Sequence, residues 1–370
     1  MEDRKPLKTK ELVLGLISIA IIAGIFLAPK KPIQDKRDMA RDAFSSCRSA
    51  GNKENCYAKY FEQLTENTSR DYAFDTLRAL QEIDQQARGC HFIAHAISSA
   101  ETRKDPSKWR ELMNSAPPDC SYGGAHGVLE VHASTYPDGK LPKEIISTVC
   151  DNPDHNNCTH GLGHLLLVLN DNDIPESLKD CERLPHDERG VFECLTGVFM
   201  ERITAVNLEL HGLAGKEALN WPARVPELEK LCGEQEGVNA VACWKEIVHA
   251  VLIKVRNDPQ ELVNFCERAP GEEEWGERST RECIDHALGI MAAGYNFELS
   301  RMHPICNVRV KAEDYKNRCY AHLVSSTLST VPQELPSAKK FCSALEERYQ
   351  KNCFDMIENM IQFRARQFNN

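Results

Sequence analysis

Sixteen cysteines in 370 residues constrain this chain more than any other feature. They fall as close pairs bracketing short polar loops: Cys47/Cys56, Cys150/Cys158, Cys181/Cys194, Cys232/Cys243, Cys266/Cys283, Cys306/Cys319 and Cys342/Cys353. Cys90 and Cys120 remain and are assigned to each other. An even count spread as local pairs reads as a disulfide framework, a pattern that buried free thiols would not produce. No CxxC or CxxCH occurs, so zinc ribbons, thioredoxin-type redox motifs and covalent haem are unsupported. The framework places the bulk of the chain in an oxidising compartment: periplasmic, extracellular or ER-lumenal.

Between the cysteines one unit repeats. A short amphipathic helix runs into a polar loop with Gly, Pro or Asn, and a longer apolar helix follows that carries the second cysteine at its start. From Cys158 the leading cysteine recurs at 194, 243, 283, 319 and 353. That spacing is similar to the period of tetratricopeptide-like solenoids, whose consensus residues are absent. The one long step coincides with 205–224, which reads as an insertion. No alternating Val/Ile/Thr run competes with helical spacing. The expectation is an all-α, disulfide-stapled, α-solenoid-like array over residues 39–368, in which each bridge contributes roughly 2–4 kcal/mol.

In front of the array, Leu12–Ala28 is uncharged and almost wholly apolar. A basic stretch precedes it, and Pro29 with Lys30 ends it. Phe26-Leu27-Ala28 makes a poor cleavage site, so the segment reads as an uncleaved signal-anchor, with a cleaved signal peptide as the rival reading. The expected order is a cytoplasmic tail over 1–10, a transmembrane signal-anchor over 11–28 and a charged linker over 29–38. The repeat domain then lies outside the cytoplasm. Flanking charge does not decide the orientation; the cysteines do.

Histidine is the second pattern. Seven of 13 lie between Cys90 and Leu169. Three consecutive long helices carry pairs spaced i,i+4: His91/His95, His126/Glu130 and His160/His164. On a helix that spacing puts both side chains on one face, one turn apart, which suits two ligands closing on one ion. Parallel neighbouring helices would bring all six residues to one pocket. Imidazole-rich sites suit Zn, Cu or Fe, and not Ca or Mg. Gly127, Gly161 and Gly163 beside these residues allow close backbone approach. Glu130 is also a candidate general base. Tyr122, His132, Asp154 and His155 are rim candidates. His249, His286 and His322 have no ligand at i+4 and read as core residues. Met200 reads as core and Glu201 as a solvated helix face, with bordering the site the lesser reading.

A net charge of −10 without a basic block argues against a nucleic-acid partner. HExxH, GxSxG, Walker A and GxGxxG are absent, so the common hydrolase and nucleotide motifs do not apply. Two functions remain. One is a membrane-anchored extracytoplasmic metalloprotein, an oxidoreductase or hydrolase built on the His/Glu cluster. The other is a metal-free solenoid scaffold that holds a protein or peptide partner.

Overall fold

The computed structural model describes residues 35–117, 120, 123–136, 150, 156–204, 221–254, 258–271, 273–310 and 314–368. The tail, the signal-anchor, most of the linker, Tyr122, Asp154, His155 and nearly all of the expected insertion lie outside them. Among the described residues there is no strand, and no helix is long and apolar enough to cross a membrane.

The chain begins with α1 (Lys36–Cys47), α2 (Lys53–Asn67) and α3 (Arg70–Ile83). A 3-10 turn over Gln85–Arg88 leads to α4 (His91–Lys104) and α5 (Trp109–Asn114). Next come α6 (Gly123–Ser134), α7 (Asn156–Leu169), α8 (Ile174–Glu182) and α9 (Glu188–Thr204). Then follow α10 (Trp221–Gly233), α11 (Gly237–Glu246), α12 (Val248–Lys254), α13 (Pro259–Cys266) and α14 (Glu273–Gly294). The chain closes with α15 (Leu299–Met302), α16 (Tyr315–Thr330), α17 (Leu335–Ser343) and α18 (Glu347–Phe368).

Local sequence sets the short helices. Asp173 caps α8 through the Glu176 N–H, with Pro175 in the first turn where a missing N–H costs nothing. Asp258 and Pro259 do the same for α13. Each of these helices carries a cysteine at its end that is bonded into the next long helix: Cys181–Cys194 joins α8 to α9, and Cys266–Cys283 joins α13 to α14. Eight bridges join the sixteen cysteines, with Cα–Cα distances of 5.1 Å at Cys90–Cys120 and 5.3 to 5.7 Å elsewhere. No free cysteine remains. This chemistry belongs to an oxidising, extracytoplasmic setting.

The position of the second cysteine differs from the sequence reading. In several pairs it lies inside its helix and not at the start. Cys194 sits within Glu188–Thr204, Cys283 within Glu273–Gly294 and Cys353 within Glu347–Phe368. Segments that read as polar loops, such as Glu273–Glu282, are rich in Glu and Arg. Those residues favour helix, so the long helix starts earlier.

Cys56 corrects the same expectation and departs from the frame in a second way. It does not open α2: Asn52 caps the helix by accepting from the Asn55 N–H, so α2 starts at Lys53 and Cys56 falls in its first turn. Cys56 is bonded to Cys47, yet it is only partly buried, whereas Cys47 and the other fourteen cysteines are buried. α2 is the first helix of the packed row.

The long helices pack each on the next: α2 on α4, α4 on α6, α6 on α7, α7 on α9, α9 on α11, α11 on α14, α14 on α16 and α16 on α18. A small apolar core serves α1–α4, and a larger one extends from Met113 to Ile357. The row curls back on itself. Arg88, in the turn before α4, donates to the Asn296 carbonyl and to the Glu334 carboxylate, both at 2.9 Å. The ends of an open array would not meet. The clustered histidines of α4, α6, α7, α12 and α14 share one interior.

Candidate metal centre

On α4, His91 and His95 sit one turn apart with ring centroids separated by 4.9 Å. His126 on α6 completes a group, its ring 5.1 Å from His91 and 5.3 Å from His95. One nitrogen from each of the three rings lies within 4.8 Å of the other two. On α7, His160 and His164 lie beside the same central ring, at 5.5 and 5.3 Å from His126. The five imidazoles form one continuous cluster. His95 is 3% exposed, His126 4% and His164 6%.

Backbone proximity makes this possible. A Cβ on Gly127 would meet the His95 carbonyl oxygen at 2.3 Å, and one on Gly123 would meet that of His91 at 2.2 Å. A Cβ on Gly163 would meet the Cys194 carbonyl at 2.0 Å, so α7 and α9 also touch backbone to backbone. Gly161 leaves room for the His126 ring, which a Cβ there would strike at 2.8 Å.

Hydrogen bonding orients the rings. His91 Nδ1 lies 3.1 Å from the Cys120 carbonyl, an oxygen that only accepts, so the proton is on Nδ1. His164 Nδ1 lies 2.8 Å from the Glu201 carboxylate. His160 Nδ1 lies 2.8 Å from Thr196 Oγ1, whose own hydrogen goes to the Glu193 carbonyl. The threonine oxygen therefore accepts from the ring. His160 Nε2 and His164 Nε2 face each other at 3.2 Å. An outer ring nitrogen held by oxygen, with the other nitrogen turned toward neighbouring imidazoles, is the arrangement of metal-bound histidines.

Glu130 stands against His95 Nδ1 at 3.4 Å, the position that Glu201 holds one pair of helices later at His164. It is placed as an outer partner of a histidine and not among the inward-facing nitrogens. Glu201 overturns the reading of a solvated helix face: it is 3% exposed. Of the rim candidates, His132 stacks on Trp109 at 4.0 Å and 15°, in an aromatic pair apart from the cluster.

A second group escapes the sequence reading. Glu246 at the end of α11, His249 on α12 and His286 on α14 bring one donor each within 4.8 Å of the others. A one-residue interruption of the helix at Ile247 separates α11 from α12. His249 and His286 read as core residues because their i+4 positions hold no ligand. The partner lies at i−3 instead: Glu246-Ile247-Val248-His249, which also shares a face. The sequence does carry a signal for it. Glu246, His286 and His322 all stand three residues after a repeat cysteine, at Cys243, Cys283 and Cys319.

Burial dominates the electrostatics. It pushes the His126 pKa well below its ordinary value, and His91, His164, His95 and His160 push it further. His160 is lowered for the same first reason, with His164 adding to it and Glu246 opposing. Burial also lowers His249, against the pull of Glu246, and takes His322 down to about 4, aided by His286, Lys245 and Arg318. Both groups thus feel each other's charges along one interior. Comparisons with protein-family models, curated proteins and solved structures find no match for this chain.

Proposed function

We propose that this chain is an extracytoplasmic metalloprotein, carried behind the apolar 11–28 segment as a signal-anchor, whose buried histidine core binds a transition metal. His91, His95 and His126 would be the ligands of one ion. His160 and His164 would supply two more nitrogens beside it, with Glu130 and Glu201 holding His95 and His164 in register. The observation that carries this reading is the convergence of the imidazoles: one nitrogen each from His91, His95 and His126 lies within 4.8 Å of the other two, and oxygen partners hold the outer nitrogens of His91, His160 and His164. Imidazole donors favour zinc, copper or iron. The repeat array resembles interaction scaffolds in period, but here the inner edge is filled by its own histidines. That supports the metal reading over a peptide groove.

Metal analysis of the full chain, purified from an oxidising compartment, tests this. We expect at least one equivalent of zinc, copper or iron retained after dialysis, or taken up at micromolar concentration. His91→Ala with His126→Ala should remove one equivalent and leave helicity and disulfides intact. A wild-type protein that takes up none of these metals refutes the reading. Whether the centre performs redox or hydrolytic chemistry follows from the metal found, since zinc does not change oxidation state.

A further inference from the structure

The histidine-only cluster does not account for Glu246. Its carboxylate is 0% exposed, in the middle of the molecule, and neither oxygen receives a hydrogen bond of normal geometry. Leaving such oxygens unsatisfied costs about 1–3 kcal/mol each, more for a charged group. Three groups surround it at ion-pair distance. His286 Nε2 is 3.2 Å from Oε2, His249 Nε2 is 3.5 Å from Oε2 and Lys245 Nζ is 3.9 Å from Oε1. The two imidazole nitrogens are 3.0 Å apart.

These three separations identify the group's chemistry. Ligand bonds of 2.0–2.2 Å in a tetrahedral arrangement place donors about 3.3–3.6 Å from each other, and an octahedral arrangement brings neighbours to about 3 Å. The observed 3.0, 3.2 and 3.5 Å fall in that range with no side chain needing to move far. Charge balance agrees. Lys245 is shared with Glu193 at 3.7 Å, so two carboxylates face one ammonium and the excess negative charge favours a cation between the three donors.

We infer that Glu246, His249 and His286 form a second, separate metal centre of the two-histidine, one-carboxylate kind. It takes a divalent transition ion, with iron(II) and zinc(II) as the fitting class. Three protein ligands leave coordination positions for water or a small oxygen-donor substrate, which makes this centre the better placed of the two for chemistry. It shares no ligand with the His91/His95/His126 group and stands or falls independently of it.

Cobalt(II) is the probe, because its visible absorption reports coordination number. Titrating the chelator-stripped full chain, we expect two equivalents bound. His249→Ala with His286→Ala should remove one equivalent and its absorption band. Glu246→Gln, which keeps the shape and removes the charge, should weaken that same equivalent at least tenfold. His91→Ala with His126→Ala should leave the band in place. A His249→Ala, His286→Ala protein that is helical, fully disulfide-bonded and still binds two equivalents overturns the inference. Wild-type crystals soaked in zinc decide the matter without any variant. An anomalous peak about 2.0–2.2 Å from all three donors supports the second centre. No peak there at saturating zinc overturns it, whatever is found at His91, His95 and His126.

Discussion

Gly127→Ala pits two known effects against each other. In an ordinary helix the change adds roughly 1 kcal/mol of stability, because alanine loses less backbone entropy than glycine. Here the new methyl would stand 2.3 Å from the His95 carbonyl oxygen and 2.8 Å from Ser99 Oγ. Ser99 can rotate away, although it now donates to the Gly127 carbonyl at 3.1 Å. The His95 carbonyl belongs to the backbone of α4 and cannot. Normal contact requires α6 to lift off α4 by about 1 Å, and overpacking of that kind costs about 1–3 kcal/mol, occasionally more. The clash should win, with a net loss of up to about 2 kcal/mol in denaturant unfolding of the oxidised chain. Gly294→Ala is the control: it closes α14, and nothing lies within 4 Å of its added methyl. It should be neutral or stabilising by up to about 1 kcal/mol. The lift would also carry His126 away from His91 and His95, so Gly127→Ala should lose metal affinity at least tenfold, since ligation tolerates only about 0.2 Å. Equal stability of the two variants would refute the backbone-to-backbone contact of α4 and α6.

Other outcomes can be checked separately. Glu201→Ala removes the acceptor behind His164, and loss of such outer partners weakens metal binding about 10–100-fold, readable by competition with a chromophoric chelator. Unchanged affinity would mean that Glu201 does not orient His164. The metal-free chain should lose stability in mild acid. His126 and His322 sit below their ordinary value of 6.5, so the unfolded chain takes up protons as pH falls through 6.5 while the folded chain does not. Their contribution is whole above about pH 7.5. By pH 5.5 each has lost about 1.4 kcal/mol, less for partly accessible His322, and His322 stops contributing to the slope below about 4. Thermal melts at pH 7.5 and 5.5 measure this, and equal stability at both would contradict the burial of His126. Chelation alone should leave the circular-dichroism spectrum helical, while reduction of the eight bridges should abolish cooperative unfolding near 37 °C.

How much of this is readable in the sequence depends on how local each relation is. Cysteine pairs separated by 8 to 17 residues can be read because short loops limit the choice of partner. Where a cysteine falls along its helix is less legible: Cys56 looks like a helix start until Asn52 is seen to cap the turn before it. The i,i+4 histidines are as local as the cysteine pairs. Glu246, His249 and His286 are not, because their meeting needs a break at Ile247, an i,i+3 spacing and a partner one repeat away. Repeat register, counted from the cysteines, aligns Glu246 with His286. Glu201 is hidden for another reason. A glutamate on a helix reads as solvated unless the neighbouring helix is known to present a histidine, and the glycines that bring α9 against α7 act across 34 residues of sequence. The curl of the row lies further out of reach, resting on Arg88 and residues more than 200 positions away.

The disulfides and the histidines explain each other. A core lined by imidazoles and buried carboxylates is a poor source of folding energy, because each polar group must be desolvated and then satisfied. Chains that fold around a structural metal meet that cost with the ion itself and unfold without it. Here every bridge but Cys90–Cys120 closes a loop of 8 to 17 residues, and together they restrict the unfolded chain independently of what fills the interior. Cys90–Cys120 ties the starts of α4 and α6, the two helices that carry His91, His95 and His126. The frame is therefore held by covalent bonds close to the histidine-bearing turns, and those turns depend less on apolar packing. That leaves the interior able to hold imidazole nitrogens close together, as at His160 and His164, 3.2 Å apart, a crowding of polar groups that serves a bound cation and that apolar packing would not produce.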